Sequence, residues 1–162
     1  MNLTRAHKLA GLFAAGLLIA DQMSKYWILQ IFKLQDLGSV EIFSFFNLTM
    51  VWNRGISLGL FQASDDLGRY ILIGGTSLIT IFLVHWFAKE RDKRLLFGLA
   101  MIIGGSVGNI IDRIRFGAVA DFLHFHGFGY SFYVFNVADA AITLGVAFLL
   151  WDALLSPQKS PT

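Results

Sequence analysis

Eight polar residues in four short stretches stand out from an otherwise apolar chain: Asp21 and Lys25; Asn109, Asp112 and Arg113; Asp121; Asn136 and Asp139. Two of the acids have no cation beside them. Asp121 sits between Ala120 and Phe122, and Asp139 lies in Val137-Ala138-Asp139-Ala140-Ala141, whose small side chains leave space around it. Two carboxylates brought together in a poorly hydrated site cannot both ionise cheaply, so they share a proton and titrate as a pair. The ionised member can then take a proton from a water attacking a peptide carbonyl while the protonated one donates to the developing oxyanion. This is aspartic-protease chemistry, and it needs neither a metal nor a covalent intermediate. A proton-coupled transporter also keeps carboxylates in a membrane, as relays. Asp21 with Lys25, or Asp112 with Arg113 or Arg115, reads equally well as an ion pair fastening helices. A third reading makes the chain an assembly factor whose polar residues only hold helices together.

The elements that must position these groups are membrane spans. The chain has 162 residues and is 56% hydrophobic, with a mean hydropathy of +0.62, too apolar for an ordinary soluble domain. Apolar runs at about 9–29, 70–88, 95–116 and 135–155 each have the ~20 residues needed to cross a bilayer. One domain of four transmembrane helices is therefore expected over 1–162. Lys89, Arg91, Lys93 and Arg94 crowd the connection between the second and third spans, and Arg5, Lys8 and Lys159 lie near the termini. The positive-inside rule puts that face, and both termini, in the cytoplasm. The net charge of +2 is spread around the spans and forms no nucleic-acid patch. Residues 1–20 look like a signal peptide, but no small-x-small site follows and Asp21 and Lys25 interrupt the run, so a retained span is expected.

Threaded in alternating directions, the first and third spans run outward and the fourth inward. Asp21, Lys25, Asn109, Asp112, Arg113, Asn136 and Asp139 then arrive at one outer depth, with Asp121 just beyond the third span. An ionisable group in a membrane segment costs ~2.5–3.5 kcal/mol on insertion scales, so a cluster at one level requires pairing or function. Proton relays of a transporter would favour the bilayer midplane instead.

Two longer connections share that outer side. The first, rich in aromatic and β-branched residues from Val40 to Trp52, predicts short strands lying on the bilayer interface, a cradle at about 36–60 that either holds an extended peptide by edge pairing or merely caps the bundle. The second, about 117–134, is expected to be a loop. Gly104-Gly105-Ser106-Val107-Gly108 matches G-x-S-x-G literally, but inside an apolar helix it is no nucleophile elbow. Ala100, Gly104 and Gly108, four residues apart, are better read as helix packing. His124 and His126 lack a third convincing ligand, so no metal is expected. Cysteine is absent, which excludes disulfides and thiol chemistry, and the tail 156–162 is expected to be disordered.

From the first span to the fourth, the chain resembles the lipoprotein signal peptidases, or signal peptidase II. Asp21-Gln22-Met23-Ser24-Lys25 is similar to the family's D-x-x-S-K pattern and Asn53-Arg54-Gly55-Ile56-Ser57 to its N-x-G-x-S/A pattern. More specific are Gly104-Gly105-Ser106-Val107-Gly108-Asn109-Ile110-Ile111-Asp112-Arg113, then Gly117-Ala118-Val119-Ala120-Asp121-Phe122, then Phe135-Asn136-Val137-Ala138-Asp139-Ala140. Leu58 stands where the family more often has phenylalanine. The resemblance implies a bacterial inner-membrane enzyme that removes the signal peptide of a prolipoprotein before its diacylglyceryl-modified cysteine. It implies Asp121 and Asp139 as catalytic dyad, and Asn53, Gly55, Asn109, Arg113 and Asn136 as substrate-binding residues. Asn136 would orient the dyad, and Arg113 would meet polar backbone or lipid ester groups. Asp21, Lys25 and Asp112 are implied as supports. No cofactor is implied, membrane lipids and a prolipoprotein are the partners, a monomer is expected, and globomycin, a cyclic peptide that blocks the family, should inhibit.

Overall fold

The computed structural model describes residues 3–55 and 66–155. Among them are four long helices, α1 (Arg5–Tyr26), α3 (Asp66–Lys89), α4 (Lys93–Phe116) and α5 (Val137–Leu155), with a single-turn α2 (Leu34–Leu37). Each expected apolar run is helical, and side chains set the starts. The Thr4 hydroxyl accepts from His7 N at 3.4 Å, Asp92 accepts from Arg94 N at 2.7 Å, and the Asn136 side-chain oxygen accepts from Asp139 N at 2.9 Å, each satisfying an N–H that a helix's first turn leaves unpaired. Gly117, at φ 76° in the left-handed region, ends α4, a conformation that suits glycine for want of a Cβ.

Helices α3, α4 and α5 are long and apolar enough to cross a membrane. Helix α1 is built inside out. Leu9, Leu12, Ile19 and Met23 are exposed, while its buried residues are His7, Ala10, Asp21 and Lys25. Lipid as solvent favours that arrangement, because apolar side chains lose nothing by facing it and ionised ones must find partners inside the protein. A π-helical turn, Trp27–Ile31, continues α1.

Helix α4 is central and packs against α1, α3 and α5. Its small residues permit this. A Cβ on Gly104 would lie 2.7 Å from the Ala14 carbonyl oxygen of α1, one on Gly108 would lie 2.5 Å from Asp21 Oδ2, and one on Gly105 would collide with the Ala138 carbonyl of α5. The small-residue spacing thus packs α4 along α1, and the extra glycine brings α5 in from the other side.

The sheet departs from expectation. Strands β1 (Ser39–Phe43) and β2 (Phe46–Asn53) occupy the first long connection, but the second is no loop: Val119–Gly127 forms β3 and Tyr130–Ser131 forms β4. All pairs are antiparallel, in the order β1-β2-β3-β4. Ala120 and Phe122 of β3 bury with Leu48 of β2 and with Ile28, Leu29 and Leu34. This shared core, with β2 as hydrogen-bonding partner, makes the segment a strand. Ser57, Leu58 and Gly59, the end of the expected cradle and the tail 156–162 lie outside the described residues.

Candidate active site

The β2–β3 ladder presents Asp121 to the helices. Val51 pairs with Asp121 and Asn53 with Val119, beyond a register shift between Leu48 and Val51. The extra residue of that bulge re-aims the strand. Asn53 Nδ2 then donates to Asp121 Oδ2 at 3.0 Å, and Asn53 Oδ1 accepts from Gly55 N at 3.0 Å, a turn in which the side chain mimics backbone. Arg113 Nη2 donates to the Gly55 carbonyl at 2.9 Å, tying this turn to α4.

Asn136 links the two acids. Its Nδ2 donates to Asp121 Oδ1 at 2.6 Å while its Oδ1 takes the Asp139 backbone N–H at 2.9 Å. Asn109 Nδ2 donates to Asp139 Oδ1 at 2.7 Å, and Asn109 Oδ1 accepts from Asn136 Nδ2 at 3.3 Å and from Lys25 Nζ at 3.3 Å. The orientation of each amide is therefore determined by its neighbours.

Beneath lies a buried ionic cluster. Lys25 Nζ is 2.9 Å from Asp21 and 2.8 Å from Asp112. The expected pairing of Asp21 with Lys25 is present. The expected pairing of Asp112 with Arg113 or Arg115 is not, because Asp112 turns toward α1, where Lys25 is the buried cation. Both carboxylates also hold backbone next to Asp139 and Asp121: Asp21 Oδ1 accepts from Ala138 N at 3.0 Å and Asp112 Oδ2 from Ala120 N at 3.2 Å. Gln22, which sequence reasoning passed over inside the D-x-x-S-K stretch, donates to Asp21 at 3.1 Å and Asp112 at 3.2 Å. Arg69 was missed as well; its Nε donates to the Arg113 carbonyl at 3.1 Å and its Nη2 to that of Ile114 at 2.8 Å, pinning the start of α3 to the end of α4. Its signal was a cation entering the second span at the depth where the third ends.

A cavity of about 320 Å³ opens beside these groups between α3, α4 and α5, lined by Asn53, Asn109, Arg113 and Asp139 among others. Arg113 Nε is buried and without a hydrogen-bond partner among the described residues. Asp121 is 1% exposed. Burial first, and then the charge of Asp139, push its carboxyl up to about 7, against the opposing hydrogen bonds from Asn53 and Asn136. Near neutral pH Asp121 is thus poised between acid and base. His124 lies apart, its two ring nitrogens hydrogen-bonded to Thr49 and Ser131 and its ring tilted against that of His126, and no group of three metal-binding side chains occurs among the described residues.

Residues 13–155 match the family model of signal peptidase (SPase) II. The chain belongs to the signal peptidase II family. It is accordingly an aspartic peptidase. Relatives called lipoprotein signal peptidase include one from Nitrobacter hamburgensis, 44% identical with 88% of this chain and 89% of that one covered. Another, from Rhodopseudomonas palustris, is 41% identical over 99% of this chain and 100% of its own. A solved bacterial membrane enzyme, determined by the in meso method at 2.3 Å resolution, superposes on the peptidase with a TM-score of 0.78 at 31% identity, covering 96% of this chain and 95% of that one.

Proposed function

We propose that the chain is a membrane-embedded aspartyl endopeptidase that removes the signal peptide of prolipoproteins by cleaving before the diacylglyceryl-modified cysteine. In this reading α1, α3, α4 and α5 cross the bacterial inner membrane as a monomer with both termini in the cytoplasm, the sheet is a cradle on the outer leaflet, and Asp121 and Asp139 are the dyad. The observation that carries it is the single amide of Asn136 bound to the Asp121 carboxylate and to the Asp139 backbone N–H, beside a cavity lined by Asp139 and Arg113.

The chemistry follows. A water between the acids gives its proton to the ionised carboxylate as its oxygen bonds to the scissile carbonyl carbon, and the protonated partner donates to the carbonyl oxygen. Collapse of the resulting gem-diol breaks the C–N bond: the cysteine nitrogen leaves with the proton first taken from water, and one hydroxyl returns its proton to the carboxylate that had donated to the carbonyl oxygen. Arg113, Asn53 and Asn109 are substrate-binding groups, and the lipid anchor, which holds the cysteine at the interface, supplies much of the positioning.

Purified protein in detergent, offered a diacylglyceryl-modified prolipoprotein, tests the reading. Processing should disappear in both Asp121→Asn and Asp139→Asn while folding persists, and saturating globomycin should block the unaltered enzyme. Undiminished processing in either variant removes that residue from the dyad; a relay role in transport predicts no cleavage in any of them.

A further inference from the structure

Below the dyad the cavity carries hydroxyls at one level. Ser106 lies three residues deeper on α4 than Asn109, and Thr143 four residues deeper on α5 than Asp139, which at ~1.5 Å per residue puts both about 5 Å beneath the Asn109–Asp139 contact. From the Arg69–Arg113 contact, Thr76 on α3 and Ser106 on α4 are each seven residues deeper. Three helices therefore bring one hydroxyl each to the same depth of the same cavity. Their states differ. The Thr76 hydroxyl already donates to the Leu72 carbonyl at 2.7 Å, so only its lone pairs are free. Ser106 and Thr143 make no hydrogen bond among the described residues, although a helical hydroxyl ordinarily bonds back to its own helix.

These groups match a need created by the substrate, if the dyad acts on a signal peptide as proposed above. A peptide bond must leave the helix to be attacked, and the last four carbonyls of the helix below it then have no partner. Surrounded by lipid, each unpaired group costs several kcal/mol. The signal peptide continues from the dyad into the bundle, past the hydroxyl level. At ~3.3 Å per extended residue, that level meets the chain about two residues before the scissile bond.

We propose that Ser106, Thr143 and Thr76 form a specificity collar for the backbone of the unwound end of the signal peptide, Ser106 and Thr143 donating to its carbonyls and Thr76 accepting an N–H. The collar binds backbone, so it tolerates varied side chains while demanding that the segment be unwound.

The test compares two substrates: a full-length diacylglyceryl prolipoprotein, and a diacylglyceryl-cysteine peptide with one residue bearing a free amino terminus before the scissile bond, too short to reach the collar. The double variant Ser106→Ala/Thr143→Val should lose about tenfold in kcat/KM on the first and less than twofold on the second. Restoring one hydroxyl, as Ser106→Ala/Thr143→Ser, should recover about half of the loss on a logarithmic scale. Equal losses on both substrates, or no loss on the full-length one, would overturn the collar. Should the double variant misfold, Thr143→Val alone must show the same substrate bias at about threefold, and its absence overturns the collar equally. A folded unaltered enzyme that cleaves neither substrate is a different failure, that of the peptidase reading itself.

Discussion

Replacing Lys25 by methionine should damage this protein more than any other single change outside the dyad. The side chain is 3% exposed and bridges Asp21 at 2.9 Å and Asp112 at 2.8 Å. Methionine fills nearly the same volume, so packing is preserved and only the charge is lost. Two carboxylates then remain buried without a cation, and removing one partner of a buried ion pair costs ~3–5 kcal/mol. Part of that cost reaches the active site, because Asp21 and Asp112 hold the backbone N–H groups of Ala138 and Ala120, the residues preceding the two proposed catalytic acids. The positive charge also lowers the affinity of Asp121 for its proton, so its loss should move the alkaline limb of activity upward from about 7. Denaturant unfolding in mixed micelles, with processing measured across pH, reads both effects. Adding Asp112→Asn should return part of the lost stability, since the two positions share one interaction. Unchanged stability in Lys25→Met, or an alkaline limb that moves down, would refute the cluster as the support of the dyad.

Three further outcomes are expected. For the unaltered enzyme, the proposed mechanism requires one proton shared by Asp121 and Asp139. As pH rises through about 7, Asp121 loses that proton, so kcat should fall above neutrality, approaching tenfold per pH unit. Asn136→Ala removes a helix N-cap worth ~1 kcal/mol and the amide that joins the Asp121 carboxylate to the Asp139 backbone; processing should drop by more than tenfold, a greater effect than the loss of stability implies, as parallel unfolding and kinetic measurements would reveal. Gly105→Ala would drive a methyl into the Ala138 carbonyl and push α5 off α4, lowering both stability and processing, whereas Gly74→Ala, with open space around it, should leave both unchanged.

Much of the site was legible in the sequence because a membrane limits the choices. Apolar length sets where the long helices lie, and alternating directions then bring Asp21, Asn109, Asp112, Asn136 and Asp139 to one end of the bundle. The glycine spacing of α4 likewise announced a close helix contact, now seen against Ala14 and Asp21.

Tertiary structure decided which groups meet. Asp112 has arginine as its sequence neighbour yet pairs with Lys25, 87 residues away, because successive residues of a helix point in different directions and the inward one meets α1. Asp121 belongs to a strand because its neighbours complete a core with the first connection, and beyond the bulge beside its pairing with Val51 it meets Asn53, two residues further along β2. Sequence thus determined the level of each polar group along its helix, a one-dimensional property set by the positions of the apolar runs. Its azimuth and its partner depend on packing and strand register, which arise only when distant segments are in contact.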